Sequence, residues 1–206
     1  MSPISMLATR VTAVGEDALR SLFTEARTAK TFTAEPVADE QLRAIYELAK
    51  FGPTSANINP LRILFVRAGE GRDRLVPLMN VGNRTKTASA PAVAVLANDH
   101  SFHERIPELL PFRPEMRDVF AADHALRESA ARYNGALQAA YFVIAIRAVG
   151  LAAGPMGGFD AGAVDAEFFA GSTWRSHLVV NIGHPGPDAW FERLPRLNYA
   201  DAVRFV

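Results

Sequence analysis

The sequence of 206 residues contains no cysteine. Disulfide bonds, thiolate metal sites, iron–sulfur clusters and cysteine nucleophiles are therefore excluded, and any redox chemistry must come from a cofactor. The sequence also has no excess charge of one sign, since 22 lysine and arginine residues balance 22 aspartate and glutamate residues. A neutral chain lacks the broad basic field that non-specific binding to nucleic acid or to an anionic membrane requires. We therefore expect neither nucleic acid nor a membrane as a partner.

Long hydrophobic runs are missing as well. The longest, residues 90–97 and 139–146, extend over about eight residues, whereas a helix needs about 20 apolar residues to cross a bilayer. Residues 1–10 lack the basic start and the continuous apolar stretch of a secretory signal. These features predict a cytoplasmic protein.

Common catalytic and nucleotide-binding motifs are also absent, among them GxGxxG, GxxxxGK[ST], GxSxG and HExxH. Among the five histidines, only His100 and His103 lie at a spacing that metal ligands use, and they fall in an irregular stretch. We therefore expect no metal site.

Apolar periodicity indicates what the chain does form. Helical spacing predicts helices over residues 16–24, 39–51, 123–149 and 163–169. The second half of the longest helix is apolar all round, which predicts burial in the core or at a subunit contact. The stretch of residues 98–123 is broken by prolines and carries several phenylalanines, which suits a loop or lid over a cavity, although peripheral packing is the more usual role of such residues.

Short runs rich in β-branched residues predict buried strands over residues 62–67, 93–97 and 177–182. The middle run has no polar face, which implies helices on both sides of a sheet. No repeat or flexible linker divides the chain, and its 49% of hydrophobic residues suffices for one core. We predict a single α+β domain over residues 1–206.

Polar side chains gather at four junctions between these elements. The first junction, residues 26–32, carries Arg27, Thr28 and Lys30. Two cations and a hydroxyl so close together can hold a phosphate, although a solvated basic loop has the same composition.

The second junction, residues 51–65, starts with a Gly-Pro pair that ends a helix. Thr54, Ser55, Asn57 and Asn59 follow before the next strand. Such short hydrogen-bonding side chains can line a polar ligand, and ordinary turn chemistry explains each of them equally well.

The third junction, residues 82–91, contains Asn83 and Lys86, which share one face of a helical turn. An amide beside an ammonium can address a carbonyl and a ring nitrogen, or simply form a solvated surface. The fourth junction, residues 150–160, has four glycines around Met156. Glycines there let the backbone approach a flat ligand and direct N–H groups at it.

In this order, the four junctions resemble the signatures of the FMN-dependent nitroreductase family, and the likeness covers roughly residues 19–203. The resemblance implies a nitroreductase-like α+β fold with a central, mostly antiparallel sheet flanked by helices, and an intertwined homodimer. The residues that carry it are Arg27, Thr28, Lys30 and Phe32; Pro53, Thr54, Asn57, Asn59 and Pro60; Asn83 and Lys86; Pro155, Met156, Gly157, Gly158 and Phe159; and Arg193.

The resemblance also implies an FMN cofactor and NAD(P)H as hydride donor. Arg27 and Arg193 would hold the FMN phosphate, Lys86 would approach the pyrimidine edge of the flavin, and residues 53–55 would come from the partner subunit. No catalytic side chain is assigned. The implied cofactor-binding residues are Arg27, Thr28, Lys30, Pro53, Thr54, Ser55, Asn57, Asn83, Lys86, Met156, Gly157, Gly158 and Arg193.

Within the family, residues 159–173 (FDAGAVDAEFFAGST) and 178–185 (LVVNIGHP) resemble the malonic semialdehyde reductases of pyrimidine breakdown. This implies reduction of malonic semialdehyde to 3-hydroxypropionate. A broad nitro or quinone reductase and a non-catalytic flavin-binding protein are the alternatives.

Two departures from the generic pattern bear on the substrate, because Gly157 and Leu61 stand where many nitroreductases carry Glu and Trp. A carboxylate substrate would need a cation over the flavin, and the candidates are Arg105, Arg113 and Arg117. Arg196 lies close to Arg193 in the sequence and is an alternative contact for the FMN phosphate.

Overall fold

The computed structural model describes residues 13–206. The prediction about a signal in residues 1–10 lies outside the described residues. No helix in the described part of the chain is both long enough and apolar enough to cross a membrane.

A four-stranded antiparallel sheet forms the centre. Its strands are β1 (Leu61–Val66), β2 (Ala92–Asp99), β3 (Ala152–Met156) and β4 (Trp174–Gly183), in the order β1-β2-β4-β3. Each neighbouring pair is antiparallel. The α+β class and the antiparallel sheet are confirmed, and the three predicted strands occur where the sequence places them.

Helices surround the sheet. Asp123 begins the longest one by accepting a hydrogen bond from the Leu126 N–H at 2.9 Å, and Gly150 (φ 81°) follows its end, which suits a glycine C-terminal stop. The helices are α1 (Glu16–Leu19, continued by a π-helical turn, Arg20–Thr24), α2 (Asp39–Ala49), α3 (Glu70–Leu75), α4 (Val81–Ser89), α5 (Ile106–Leu109), α6 (Met116–Ala122), α7 (His124–Ala148), α8 (Ala161–Phe168) and α9 (Tyr199–Ala202).

Helices cover both faces of the sheet, as the apolar β2 run predicts. On one face, α2 and α7 pack on alternate strand residues, including Leu96 and Ile182. On the other face, α3 and α8 pack on the intervening residues, including Val95 and Val179. All eight residues of β2 are buried, as expected for a strand covered on both faces.

The glycine-rich junction is a strand rather than a loop. Residues 150–160 are predicted as a loop, but Ala152–Met156 forms β3, which pairs with β4 from Ala152 opposite Gly183 to Met156 opposite Val179. Only Gly157 and Gly158 remain as a loop beyond the strand. The error arises because glycine and proline oppose strand formation locally, whereas pairing at a sheet edge tolerates them.

Residues 98–123 do not form the irregular loop that the prolines predict. Two short helices, α5 and α6, form there, and Phe102 packs edge-on against Phe120 with 5.1 Å between ring centroids. Both rings belong to a small core cluster that also contains Ile106. The aromatic side chains therefore pack in a small core of their own, whereas Arg105 and Leu109 of the same stretch line a cavity.

Helix α7 is buried on one side only. Gly135 faces β2 so closely that an added Cβ would lie 1.7 Å from the Asn98 Oδ1 atom. The opposite side exposes Tyr133, Leu137 and Tyr141. The predicted all-round burial is therefore absent in one protomer, and a row of apolar side chains stays open to a partner.

Candidate functional site

The first polar junction runs along the outer edge of β3. The Ala29 N–H donates to the Ala153 carbonyl at 3.0 Å, which places residues 26–33 beside the strand. A Cβ on Gly154 would lie 2.8 Å from the Ala29 carbonyl oxygen. Glycine is therefore required for this close backbone approach.

The C-terminal segment holds the same junction from outside. The Lys30 N–H donates to the Ala189 carbonyl at 3.0 Å, and the Lys30 Nζ lies 3.9 Å from the centroid of the Phe191 ring. The Arg27 Nη1 donates to the Phe191 carbonyl at 3.0 Å. Thr28 lies between these two cations and is exposed.

Arg193 reaches back to the N-terminal side of the junction. Its Nη2 donates to the carbonyls of Thr24 at 2.6 Å and Ala26 at 3.0 Å. Arg196 instead bonds carbonyls of its own segment. Burial lowers the pKa of Arg147, and the nearby charge of Arg193 lowers it further. Arg193, rather than Arg196, therefore joins the cations near Arg27.

The third and fourth junctions meet at the end of β3. The Asn83 Nδ2 donates to the Gly158 carbonyl at 2.8 Å, and the Asn80 N–H donates to the same oxygen at 3.0 Å. A Cβ on Gly158 would lie 2.7 Å from the Asn83 Nδ2, whereas one on Gly157 would meet no atom within 4 Å. Among the described residues, neither glycine N–H donates to a backbone carbonyl. Lys86 lies one turn beyond Asn83 and is half-buried.

Sequence reasoning misses the residues that support this corner from below. The Thr87 hydroxyl and the Asn181 Nδ2 each approach the Met156 sulfur at 3.9 Å, and Asn181 is fully buried. The only sequence feature that singles out Asn181 is its position as the one polar residue in the apolar run VVNI. Arg72 is buried too, which lowers its pKa, and it donates to the carbonyls of Thr87 and Ala90. Arg72 lies in a charged stretch of the sequence, and nothing in that stretch distinguishes it from a surface residue.

Four of the cations predicted to bind the cofactor have no acidic partner. In the described part of the chain, Arg27, Lys30, Lys86 and Arg193 form no ion pair. Unpaired cations gathered around one strand attract an anion. We call these residues, together with Asn83, Gly157 and Gly158, the cofactor groove.

The second junction lies elsewhere in the protomer. The 53–57 loop, which comprises residues 53 to 57, leads into β1, at the opposite edge of the sheet from β3. The Ser55 N–H donates to the Asn134 Oδ1 at 2.7 Å, and the Asn57 Nδ2 donates to the Leu109 carbonyl at 2.8 Å. One protomer therefore does not bring Pro53, Thr54, Ser55 or Asn57 to the cofactor groove.

A cavity of about 790 Å³ lies beside this loop, lined in part by Asn57, Leu61 and Arg105. Of the three substrate-cation candidates, Arg105 alone lines it, and its guanidinium lies 2.6 Å from Glu108. Arg113 pairs with Glu115, and Arg117 pairs with Glu104 and Asp118, and all of these groups lie outside the cavity.

Known proteins are similar to this chain in sequence. The sequence model of the nitroreductase family matches residues 24–184. A Streptomyces coelicolor relative, provisionally named NADH dehydrogenase/NAD(P)H nitroreductase, is 55% identical over 89% of this chain and 91% of its own. A Streptomyces griseus relative with the same provisional name is 57% identical over 90% and 94%, respectively.

Solved structures with lower identity agree in fold. A Bacillus subtilis protein provisionally named a nitroreductase superposes with a TM-score of 0.81 at 20% identity, over 93% of this chain and all of its own. An Exiguobacterium sibiricum protein with the same provisional name, solved in complex with FMN, superposes with a TM-score of 0.79 at 19% identity, over 95% of this chain and all of its own.

Proposed function

Because this chain belongs to the nitroreductase family, we propose that it is an FMN-dependent oxidoreductase that takes its hydride from NAD(P)H. The observation that carries this proposal is the cofactor groove, where, among residues 13–206, four cations without carboxylate partners accompany two glycine N–H groups that bond no backbone carbonyl. The groove offers positive charge and hydrogen-bond donors, which suit an anionic, flat ligand with carbonyl groups.

The cofactor groove divides into two ends. Arg27 and Arg193 share the N-terminal end with Phe191, and their forked guanidinium groups suit a phosphate. At the other end, Lys86 would place a positive charge near the flavin ring, and Gly157 and Gly158 would donate N–H bonds to it. When bound, FMN supplies the two-electron redox chemistry that a chain without cysteine lacks.

We further propose that the active unit is a homodimer in which the 53–57 loop of one protomer completes the cofactor groove of its partner. Support comes from the position of this loop at the far edge of the sheet. The exposed apolar row of Tyr133, Leu137 and Tyr141 on α7 offers a surface for a second copy.

The favoured reaction is the reduction of malonic semialdehyde to 3-hydroxypropionate. The aldehyde carbon gains a hydride and its oxygen gains a proton from a group that we do not assign. Residues 159–173, which resemble the malonic semialdehyde reductases, support this choice. Donor and acceptor would occupy the same place in turn, which gives ping-pong kinetics.

Arg105 would bind the substrate carboxylate, because it lines the cavity beside the 53–57 loop whereas Arg113 and Arg117 do not. Replacing it (Arg105→Ala) should raise KM for malonic semialdehyde at least about tenfold, the cost of one charge-assisted hydrogen bond. KM for an uncharged nitroaromatic should stay unchanged, and Arg113→Ala serves as the matched control. An equal rise for both substrates would contradict this role.

A broad nitro or quinone reductase is the second candidate, and the provisional names of the Streptomyces relatives favour it. Comparing kcat/KM for malonic semialdehyde with that for a nitroaromatic separates the two. A preference of several orders of magnitude for the nitro compound would remove malonic semialdehyde.

The proposal as a whole is tested by purification. We expect a yellow protein that releases FMN on denaturation and loses its colour on addition of NADH. A colourless protein that takes up no added FMN would overturn the cofactor assignment. Bound flavin that NADH cannot reduce would favour a non-catalytic flavin-binding protein.

A further inference from the structure

A second basic site lies where β2 ends and β4 begins, beside the N-terminal part of α7. A cavity of about 520 Å³ opens there. We call it the basic cavity, and none of its lining residues belongs to the cofactor groove. Its lining residues are Asn98, His100, Ser101, His124, Arg127, Glu128, Arg132, Thr173, Arg175, Ser176 and His177.

The charge of the basic cavity is strongly biased. Three arginines face one carboxylate, Glu128, so the lining has a formal charge of +2 before any histidine is protonated. Glu128 pairs with Arg132 at 3.1 Å. In the described part of the chain, Arg127 and Arg175 have no acidic partner and bond only backbone carbonyls.

The three histidines place further donors around the same space. The pairing of β2 with β4 is irregular at His177. Ser176 lies opposite Ala97 and Leu178 lies opposite Leu96, so His177 has no paired residue on β2. The His177 Nε2 is buried and has no hydrogen-bond partner among the described residues. Burial lowers the pKa of His100, Glu128 opposes that effect, and Arg175, His124 and Arg132 add to it. His100 therefore lies within reach of charged groups on both α7 and β4.

A metal ion is the wrong occupant for this lining. Within the described residues, the histidines do not form a group with neighbouring acids that could hold one. The remaining nearby carboxylate, Asp99, is already used by Arg62 at 2.7 Å and by the Thr173 hydroxyl at 2.7 Å. The lining therefore offers donors and positive charge, which together suit an oxyanion.

We propose that the basic cavity binds a phosphate-type dianion. The formal charge of the lining matches the charge of about −2 that a phosphate group carries near neutral pH. Arg127 and Arg175 would supply forked N–H donors, and His177 would supply a further donor. The ligand is either inorganic phosphate or a small phosphate monoester, and both present the same oxygens.

The test uses the FMN-loaded protein, so that the proposed FMN phosphate contacts are already filled. Inorganic phosphate and glycerol 3-phosphate are titrated separately by calorimetry in a chloride-matched buffer, with glycerol as the uncharged control. We expect a dissociation constant of about 1 mM or tighter for at least one of them. Tighter binding of phosphate identifies the free ion as the ligand, and tighter binding of the ester identifies a phosphorylated small molecule.

Three variants assign the binding to this cavity. Replacing the two proposed donors (Arg127→Ala with Arg175→Ala) should weaken binding at least about tenfold, as expected for lost charge-assisted hydrogen bonds. Glu128→Gln should strengthen it severalfold, because it removes the only carboxylate of the lining and releases Arg132. A gain of this kind cannot result from damage to the fold. Arg74→Ala, on α3 outside the cavity, is the matched control and should change nothing.

The proposal is overturned if neither anion binds the FMN-loaded protein, or if Glu128→Gln leaves binding unchanged or weaker. It is also overturned if the double arginine variant binds as tightly as Arg74→Ala does. Failure of the FMN assignment would appear separately, as a protein that takes up no flavin.

Discussion

The two edges of the sheet differ in what lies over them. At the β3 edge, residues 26–33 bond the strand directly, and the C-terminal segment holds them in place. At the β1 edge, the strand side chains are only half-buried and line an open cavity of about 790 Å³. One edge of the sheet is therefore covered within the protomer, whereas the other remains accessible, and we propose that a partner completes it.

The β3 edge depends most strongly on Gly154. Changing it to valine (Gly154→Val) would place a Cβ 2.8 Å from the Ala29 carbonyl oxygen, and a backbone atom cannot move aside cheaply. We expect a loss of about 2–3 kcal/mol in the free energy of unfolding and a loss of FMN binding. Thermal denaturation and flavin fluorescence measure both. Gly82→Ala, where the added Cβ meets no atom within 4 Å, should retain both properties.

The cations of the same edge should affect binding without affecting folding. Replacing Arg27 and Arg193 together with alanine should weaken FMN binding at least about 100-fold, because each guanidinium contributes a charge-assisted hydrogen bond. Both side chains are exposed, so Tm should change little, and Arg74→Ala is the control. Unfolding of the double variant would remove the support for a phosphate-binding role.

The open surface around the β1 edge should matter for assembly. Two carboxylates on the exposed row of α7 (Tyr133→Asp with Leu137→Asp) should convert the dimer to monomers and lower kcat/KM at least about tenfold, because buried charge without a partner is costly. Both positions are exposed in the protomer, so circular dichroism should not change. Light scattering measures the mass, and Arg43→Asp on α2 is the control. Retained dimers with full activity would refute this surface.

The smallest effect concerns pH. Burial lowers the pKa of His177 below its ordinary value of 6.5, so the unfolded state binds more protons as pH falls through 6.5. Stability should therefore decrease as pH falls through and below 6.5, and it should be unaffected well above it. In His177→Gln, the slope of Tm against pH over this window should be shallower. An unchanged slope would mean that His177 does not contribute.

The sequence predicts well those features that are encoded locally. The continuous apolar run of β2 and the helical spacing of α7 depend on neighbouring residues, and both elements occur as predicted. The failures involve distant contacts. Strand β3 forms because β4 lies beside it, and residues 98–123 form helices around a small core in which Phe120 and Ile106 enclose Phe102.

The candidate site follows the same division. The cations Arg27 and Lys30 stand out because charge and a hydroxyl cluster within four residues, and their relation to Arg193 comes from the family resemblance. Arg72 and Asn181 could not be recognised in this way, because their partners come from other elements. The residues that hold a site in place come from many parts of the fold, whereas the residues that contact a ligand often cluster in short segments of sequence.

The central claim, that each active site combines the β3 edge of one protomer with the 53–57 loop of its partner, is tested most directly by mixing two inactive variants. One carries Arg27→Ala with Arg193→Ala, and the other carries Ser55→Trp, which fills the space beside the loop. After subunit exchange, half of the dimers are mixed, and each mixed dimer has one intact site, so activity should return to about a quarter of the wild-type value. No recovery, despite mixed dimers that are demonstrated by mass spectrometry, would contradict a shared site.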